Sequence, residues 1–372
     1  MERLYLSYFI IFNWTEAMTS WQKVLQNSVS CAKQLSGFPG ADLDAIEEVA
    51  KIYPMRINSY YLGLIKQGGG PLWRQAVPDI REIQDNTGMI DPLDEENLSP
   101  VPNLVHRYPD RALFLVSNQC AMYCRFCTRK RKVGRPEMII TDATIQAGLN
   151  YLKKNPQVRE VLLSGGDPLL LTDSCLEKIL QSLKKIPSIE VIRIGTRVPC
   201  TLPMRVTRSL TAMLRKYHPI YINTHFNHPA EITPQAARAC SMLAGAGIPL
   251  GCQTVLLRGI NDSSETIRSL LLKLLAIRVK PYYLFQADLT RGTNHFRTPV
   301  ETGLEIMRSL IGHVSGMAVP IFALDAPGGG GKIPLTPEYI QSLDENSLYF
   351  KNYHGFPCSY PNPRAASIAI EF

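Results

Sequence analysis

The sequence predicts an α/β protein built around a partial (β/α)6 barrel of the TIM type, with an N-terminal helical region before it and a short C-terminal tail after it. Six short runs of β-forming residues recur after residue 105, and segments of helical length and periodicity separate them. Chemically functional residues follow the ends of several runs, and barrels build their sites from the loops after the strands. The spacing favours a barrel over a doubly wound sheet without settling the choice.

The composition is that of a globular protein with a sizeable core. The 372 residues are 45% hydrophobic and 19% charged, which argues against disorder. The formal net charge of +8 suits an anionic ligand or a phosphate-bearing cofactor, and it is too small and dispersed to argue for nucleic acid alone. No apolar run reaches the roughly 18 residues of a membrane span. We therefore expect neither a membrane nor a nucleic acid as a partner.

Residues 1–104 form the predicted N-terminal, mainly helical region. Thr19 is an ordinary helix start, and residues 1–17 before it are interpreted as a mis-called extension or a loose arm, without a signal peptide. Apolar residues at helical spacing predict a helix over 41–53, which Pro54 ends. Residues 68–71 and the acidic, proline-rich stretch 91–102 are predicted loops.

Residues 105–340 form the predicted barrel. Its six strands are expected at 112–116, 160–163, 191–194, 220–222, 253–257 and 282–285. Helices between them are expected at 141–154, 174–185, 233–246 and 264–276, the third of which begins typically, with threonine before proline. Residues 341–372 form the predicted tail, which is expected to be irregular with two proline-rich turns.

Three of the nine cysteines, Cys120, Cys124 and Cys127, follow the spacing C-x3-C-x2-C. Structural zinc usually takes four ligands in paired spacings, and no fourth cysteine or histidine lies nearby. Three thiolates suit a four-iron, four-sulfur cluster with one iron open to a further ligand, and zinc or free thiols are the alternative. Five basic residues in the same segment are expected to offset the negative charge. This cysteine usage fits a reducing compartment, so a cytoplasmic location is expected.

A second chemical signal is the segment 324–334, whose sequence is Leu-Asp-Ala-Pro-Gly-Gly-Gly-Gly-Lys-Ile-Pro. It is not a P-loop, because Ala326 and Ile333 stand where that motif needs glycine and a hydroxyl residue. Four glycines let the backbone approach a planar cofactor, and Lys332 beside them can form a Schiff base with an aldehyde such as pyridoxal phosphate. For this segment alone, a flexible surface loop with a solvated lysine is the alternative.

The cysteine motif, with Phe126 directly before its last cysteine, resembles that of the radical S-adenosylmethionine (SAM) superfamily. The loop 164–168 resembles the Gly-Gly-Glu type motif of that superfamily, and a simple tight turn is its alternative. With the glycine–lysine segment added, the chain resembles the lysine 2,3-aminomutase family from about residue 91 to 363. The resemblance includes the segments 99–102, 106–111, 191–197, 221–226, 259–262 and 295–299. The fold of that family is a partial barrel of six units.

The resemblance implies three cofactors: a 4Fe-4S cluster, SAM and pyridoxal 5′-phosphate. In the family, a 5′-deoxyadenosyl radical initiates a 1,2-migration of an amino group that interconverts L-lysine and L-β-lysine. The chain would then be an isomerase that receives electrons from flavodoxin or ferredoxin and forms a homo-oligomer, a dimer or a tetramer.

The resemblance also implies which residues bind each cofactor. The three motif cysteines would bind the cluster, and Lys332 would hold pyridoxal phosphate. Arg107 and Arg111 would bind its phosphate, with structural ion pairs as the alternative. The residues expected near SAM, of which the last two could equally be core polar residues, are Gly165, Gly166, Asp167, His225 and Gln253.

Three further residues match family positions that bind the substrate. Arg129 would bind the carboxylate, which suits the fork of a guanidinium group. Asp288 and Asp325 would bind the distal ammonium, because a buried cation needs carboxylates. A glutamate-specific relative would need a cation or an amide there, so the two aspartates favour lysine first and arginine second.

The chain departs from the family's pattern in two ways. It lacks a long C-terminal extension with clustered zinc-binding cysteines, and Ser263 replaces a cysteine. We therefore expect no structural zinc. The other cysteines are expected to be buried or partly buried thiols, namely Cys31, Cys175, Cys200, Cys240, Cys252 and Cys358. The rival functions are an aminomutase for arginine, another amino acid or a protein-bound lysine, an RNA-modifying radical enzyme, and an iron–sulfur electron carrier.

Overall fold

The N-terminal part of the chain is helical, as predicted. The computed structural model describes residues 19–135, 138 and 140–361, so the interpretation of residues 1–17 as an extension lies outside it. Thr19 precedes the first helix, as expected. The helices described in this part are α1 (Ser20–Gln26), α2 (Leu43–Ile52), α3 (Ser59–Gly68) and α4 (Gly70–Ala76).

The helix predicted over 41–53 is confirmed as α2. The Asp42 carboxylate caps it by accepting a hydrogen bond from the Ala45 amide at 3.0 Å. The helix ends at Ile52 because Pro54 favours an extended conformation for Tyr53.

The loop predicted over 68–71 is wrong. Gly69, with φ of +64°, is the single residue between α3 and α4, and Pro71 lies in the first turn of α4, where a missing N–H is tolerated. The loop predicted over 91–102 is confirmed, since it contains neither helix nor strand.

The predicted barrel is confirmed as a nine-stranded sheet whose strands follow one another in chain order. Strands β2 to β8 are parallel to their neighbours, and β1 and β9 are antiparallel edge strands. The strands are β1 (Leu104–Tyr108), β2 (Arg111–Ser117), β3 (Glu160–Gly165), β4 (Val191–Gly195), β5 (Ile220–Thr224), β6 (Leu250–Leu256), β7 (Lys280–Gln286), β8 (Ile321–Ala326) and β9 (Gly331–Pro334).

The six predicted βα units correspond to β2–β7, each followed by helix. Strand β8 adds a seventh parallel strand, which the sequence did not reveal because it follows Pro320 and its burial does not alternate. The helices are α5 (Asp142–Lys154), α6 (Asp173–Lys184), α7 (Val198–Thr201), α8 (Arg208–Arg215), α9 (Pro234–Gly245), α10 (Ser264–Ala276) and α11 (Val300–Leu310). The four predicted helices are α5, α6, α9 and α10, whereas α7, α8 and α11 were not predicted.

The strands have one apolar and one more polar face. In β3 and β4 the buried residues alternate with half-buried ones. The buried set, such as Val161 and Ile192, belongs to the same apolar cluster as Leu149 of α5 and Leu176 of α6. The other face therefore lines the interior of the open barrel, where polar side chains are tolerated.

The two edges of the sheet are joined by side chains. No hydrogen-bonded ladder connects β1 to β9 in the described residues. Instead, Arg107 Nη1 of β1 lies 3.2 Å from Asp325 Oδ1 of β8, and the Lys332 amide of β9 donates to the Tyr108 hydroxyl of β1 at 3.1 Å. The barrel is nearly closed, and charged groups join its edges.

The irregular tail predicted after residue 341 is wrong. It forms a three-stranded antiparallel sheet of β10 (Ile340–Leu343), β11 (Ser347–Lys351) and β12 (Pro357–Pro361). The two prolines that suggested irregular turns lie at the ends of an edge strand, where a missing N–H breaks no ladder. No helix in the described ranges is long and apolar enough to cross a bilayer.

A buried carboxylate joins the N-terminal part to the cysteine loop, which we define as residues 118–132. Glu82 accepts hydrogen bonds from Arg125 Nε at 2.9 Å and from Lys130 Nζ at 2.7 Å, and all three side chains are buried. Burial opposes ionisation of Glu82, but the two cations outweigh it and hold its pKa below the ordinary value. The N-terminal helices thus hold the cysteine loop through charge.

We predict that Glu82→Gln lowers the free energy of unfolding by about 3–5 kcal/mol, because it leaves two buried cations without their carboxylate. Chemical denaturation of the purified chain measures this. Glu190→Gln is the matched control, since Glu190 pairs with Arg159 at the exposed surface. Equal effects of the two substitutions would contradict the role assigned to Glu82.

Candidate active site at the carboxyl edge of the sheet

The cysteine loop begins where β2 ends, at Ser117. Cys120, Cys124 and Cys127 are half-buried within it, and all nine cysteines of the chain are free thiols. Burial raises the pKa of Cys120 well above its ordinary value, and the neighbouring Asp167, Cys127 and Cys124 raise it further. The three thiols are therefore close enough to repel one another as thiolates, and a positively charged group is needed to hold them together.

The three thiols of the cysteine motif are suitable ligands for an iron–sulfur cluster. Within the described ranges, no three Cys, His, Asp or Glu side chains converge on a point that could hold one metal ion. A four-iron cluster binds each thiolate through a different iron, so its ligands need not converge on one point. Three adjacent soft thiolates suit such a cluster.

The five basic residues of the cysteine loop, of which Arg129 and Lys130 favour ionisation of Cys127, are all bound to carboxylates, and their offset of cluster charge stays a prediction. Each of them pairs with a carboxylate from the N-terminal region, because a buried or half-buried cation needs a close counter-charge. The pairs are Arg125 and Lys130 with Glu82, Arg129 with Glu95, Arg131 with Asp91 and Glu96, and Lys132 with Glu96.

The loop after β3 packs closely against the cysteine loop. The Gly166 amide donates to the Ser117 carbonyl at 2.6 Å, and the Asp167 amide donates to the Gln119 carbonyl at 2.7 Å. A Cβ atom on Gly166 would lie 2.4 Å from the Gln119 carbonyl oxygen, and one on Gly165 would lie 2.2 Å from that of Ser117. These two glycines are needed for the close approach of the loops.

The Asp167 carboxylate is buried and bonded within the chain. It accepts hydrogen bonds from the Thr196 hydroxyl at 2.7 Å, the Arg197 amide at 2.8 Å and the Leu169 amide at 3.0 Å. Burial nevertheless raises its pKa to about 6. These bonds tie the loops after β3 and β4 together, and the contact of this carboxylate with SAM stays a prediction.

His225 follows β5 and lies against the cysteine loop. Its ring stacks on Phe126, with 5.5 Å between the ring centroids, and its Nε2 lies 2.9 Å from Asn227 Oδ1. Burial and the charge of Arg197 lower the pKa of His225 to about 3, so the ring is neutral, donates from Nε2 and keeps Nδ1 as an acceptor. Gln253 is half-buried on the interior face of β6.

Lys332 and Asp325 face each other on neighbouring strands. They are register partners in the β8–β9 pair, and Lys332 Nζ lies 3.0 and 3.2 Å from the two oxygens of Asp325. The ammonium also lies 5.2 Å from the ring centroid of Phe285. Lys332 is therefore fixed by strand, carboxylate and ring, which excludes the alternative of a solvated lysine on a flexible loop.

Asp288 follows β7 and belongs to the same set of charges. Burial and the neighbouring Asp325 raise its pKa to about 7, and Lys332, Arg107 and Arg129 act in the opposite direction. These four residues therefore lie within electrostatic reach of Asp288.

Arg129 extends this set of charges to the cysteine loop. Its Nε lies 2.9 and 3.0 Å from the two oxygens of the buried Glu95. Burial and Cys124 raise the pKa of Cys127, and the charge of Arg129 acts against that rise. A continuous series of interacting groups thus runs from Lys332 to a motif cysteine.

Arg111 lies apart from these charges. It stacks on Tyr108, with 3.9 Å to the ring centroid, and pairs with Asp110 at the surface. The structure therefore gives both Arg107 and Arg111 ion-pair partners, which is the alternative expected for them, and their contacts with a phosphate stay a prediction.

Four residues of the site were not identified from the sequence: Gln75, Glu95, Arg197 and Glu231. Arg197 lies just after β4, so the strand-end argument would have found it.

Of the remaining cysteines, Cys200, Cys240 and Cys252 are buried, and Cys175 and Cys358 are half-buried, as expected. The expectation for Cys31 is wrong, because it is exposed just before the short 3-10 turn Ala32–Leu35.

Comparison with known proteins gives a consistent result. The chain matches the family model described as Radical SAM superfamily over residues 114–271 and the one described as Lysine-2,3-aminomutase over 307–369. It is 48% identical to an L-lysine 2,3-aminomutase of Methanococcus maripaludis, covering 95% of this chain and 83% of the relative. It is 47% identical to that of Fusobacterium nucleatum, covering 94% and 83%. A glutamate 2,3-aminomutase of Clostridioides difficile is 46% identical, covering 83% and 74%, so identity alone does not separate the two substrates.

We predict that Gly166→Ala removes most of the bound iron and acid-labile sulfide after anaerobic reconstitution, because the added methyl would push the cysteine loop away. Far-UV circular dichroism should stay as in the wild type. Gly195→Ala is the matched control, since a Cβ atom there meets nothing closer than 3.7 Å. Normal iron content in Gly166→Ala would show that the close loop contact is not required.

Proposed function

The chain belongs to the lysine 2,3-aminomutase family of the radical SAM superfamily, a family of isomerases, and from this premise we propose that it interconverts L-lysine and L-β-lysine. The observation that carries the proposal is the pairing of the Lys332 ammonium with Asp325, beside Asp288. The ammonium of Lys332 thus already lies beside the two carboxylates that would bind the side-chain ammonium of a lysine substrate.

The cofactors have matching residues in the described chain. Cys120, Cys124 and Cys127 would hold the cluster, and Lys332 would hold pyridoxal phosphate. When bound, the cluster and SAM supply a 5′-deoxyadenosyl radical, and pyridoxal phosphate supplies the carbonyl that carries the migrating nitrogen. Arg107 and Arg111 are proposed for the phosphate; Arg107 lies among the charges around Asp325, whereas Arg111 would have to leave its surface pair with Asp110.

The residues proposed for SAM surround the cysteine loop. Gly165 and Gly166 bring the loop after β3 against it, and Asp167 fixes that loop. His225 presents a neutral ring with one free acceptor nitrogen, and Gln253 presents an amide on the interior face of β6. His225 and Gln253 would orient an adenosyl ligand and exclude water without adding charge.

The preference for lysine follows from charge balance. When the nitrogen of Lys332 is engaged by the cofactor, Arg107 still pairs with Asp325, but the two carboxylates together have one cation fewer. A buried carboxylate without a partner is unfavourable, so the pair favours an incoming ammonium and disfavours the side-chain carboxylate of glutamate. Arginine would satisfy the same two carboxylates and is the second candidate.

Arg129 has the geometry to bind the α-carboxylate. Glu95 occupies its Nε and Nη2 edge, and Nη1 makes no hydrogen bond to Glu95. The remaining edge of the guanidinium suits a substrate carboxylate, while Glu95 prevents the side chain from rotating.

The partners follow from the chemistry. The cluster needs a low-potential electron donor, for which flavodoxin or ferredoxin is proposed. Nine free thiols support a reducing, cytoplasmic location. The exposed apolar side chains of the C-terminal sheet, Ile340, Leu343 and Tyr360, support a homo-oligomer, a dimer or a tetramer.

We predict that the anaerobic, reduced enzyme, supplied with SAM and pyridoxal phosphate, converts L-lysine into β-lysine faster than it converts arginine or glutamate. Lys332→Ala should abolish both turnover and the absorbance of bound pyridoxal phosphate. Asp325→Asn should lower kcat/KM for lysine at least about thirtyfold, since losing one partner of a buried charge pair costs about 2 kcal/mol or more. The exposed Asp142→Asn is the control. Faster turnover of glutamate than of lysine would reject the assignment.

We predict that kcat/KM for lysine rises with pH through about 7, because Asp288 binds an ammonium only when ionised and its pKa lies near that value. Asp288→Asn should remove this acid limb and leave a low, flat profile, whereas Asp142→Asn should keep it. An unchanged acid limb in Asp288→Asn would exclude Asp288 as the titrating group.

A further inference from the structure

Arg197 bonds to a sulfur of the cysteine motif. It follows β4, and its side chain is buried. Its Nη1 donates to Cys124 Sγ at 2.8 Å, and its Nη2 donates to Glu231 Oε1 at 2.8 Å and to Gln75 Oε1 at 2.6 Å. One guanidinium group therefore joins a proposed cluster ligand to a buried carboxylate.

Glu231 is held rigidly on its other side. Its side chain is fully buried, and Oε1 also accepts from the Tyr61 hydroxyl at 2.7 Å. Its Oε2 accepts from the amides of Asn227 at 2.7 Å and His228 at 3.0 Å. With every partner supplied by α3, α4 or the loop after β5, the guanidinium has little freedom to move away from the sulfur.

The contact with sulfur distinguishes Arg197 from the other buried arginines. The guanidinium of Arg125 bonds to Glu82 and to backbone carbonyls, and that of Arg205 bonds to Asp173 and the carbonyls of Leu169 and Leu171. Within the described ranges, Arg197 is the arginine whose hydrogen bond reaches a motif sulfur. An ion pair with Glu231 alone would not require that contact.

We propose that Arg197 is a positioning residue that sets the reduction potential of the cluster bound through Cys124, with Glu231 and Gln75 holding its guanidinium in place. Reduction adds one electron and one negative charge to the cluster, and no bond to Arg197 forms or breaks. Hydrogen bonds to cluster sulfurs and nearby positive charge stabilise the reduced state and raise the potential. This proposal rests on the proposed function only because it requires a bound cluster; it does not depend on the identity of the substrate.

The test is a potentiometric titration of the reconstituted full chain, with dithionite as reductant and the reduced cluster followed by electron paramagnetic resonance. We expect Arg197→Gln to lower the ratio of reduced to oxidised cluster at least tenfold at a fixed potential, which is 59 mV for a one-electron couple. Arg197→Lys keeps the charge and should shift the ratio less. Arg205→Lys, an equally buried arginine away from the motif sulfurs, should match the wild type.

A wild-type ratio in loaded Arg197→Gln would overturn the proposal, as would an equal shift in Arg205→Lys. If Arg197→Gln does not hold the cluster, the test passes to Arg197→Lys, where an unchanged ratio overturns the proposal. An unchanged ratio with weakened SAM binding would assign the guanidinium to SAM instead. Because the titration contains neither lysine nor pyridoxal phosphate, a shifted ratio would support this proposal even if the separate turnover assay produced no β-lysine, and that failure would reject only the proposed function.

Discussion

The ion pair of Asp325 with Lys332 and Arg107 is the interaction on which both the barrel and its site depend. Strands β1 and β9 share no hydrogen-bonded ladder, so the closure of the sheet depends on side chains at its carboxyl edge. The same three groups supply the charge of the site. Burying charges is unfavourable unless they are paired, so this arrangement is retained only where each charge has a partner. When a cofactor engages Lys332, Arg107 still holds Asp325, and the edges stay joined.

A second set of buried charges fixes the cysteine loop from outside. Glu82 holds Arg125 and Lys130, and Glu231 holds Arg197, which in turn reaches Cys124. The basic residues beside the cysteines thus attach the loop to the N-terminal region, and the guanidinium that bonds to Cys124 comes from the loop after β4.

The sequence identified the features that depend on local spacing. The alternation of short strands with helices, the three cysteines and the glycine–lysine segment around Lys332 all lie within short segments. Strand β8 was missed because Pro320 and unalternating burial hide it, and the C-terminal sheet because its prolines occupy an edge. The contacts of Glu82 with Arg125 and of Arg197 with Cys124 join residues 43 and 73 positions apart, which no local period encodes. Such pairs are decided by tertiary packing alone.

In the proposed function, substrate discrimination would depend on the protonation of Asp288. Burial and the neighbouring Asp325 raise its pKa to about 7, and Lys332, Arg107 and Arg129 act against that rise. If pyridoxal phosphate bound the nitrogen of Lys332, as proposed, that opposing charge would weaken, and the carboxyl would take up a proton more readily unless another cation arrived. An incoming ammonium keeps Asp288 ionised and gains both carboxylates, whereas a substrate carboxylate would meet a neutral Asp288 at low pH but an ionised one at high pH. The preference of Asp288 for a cation therefore strengthens as the pH rises through about 7.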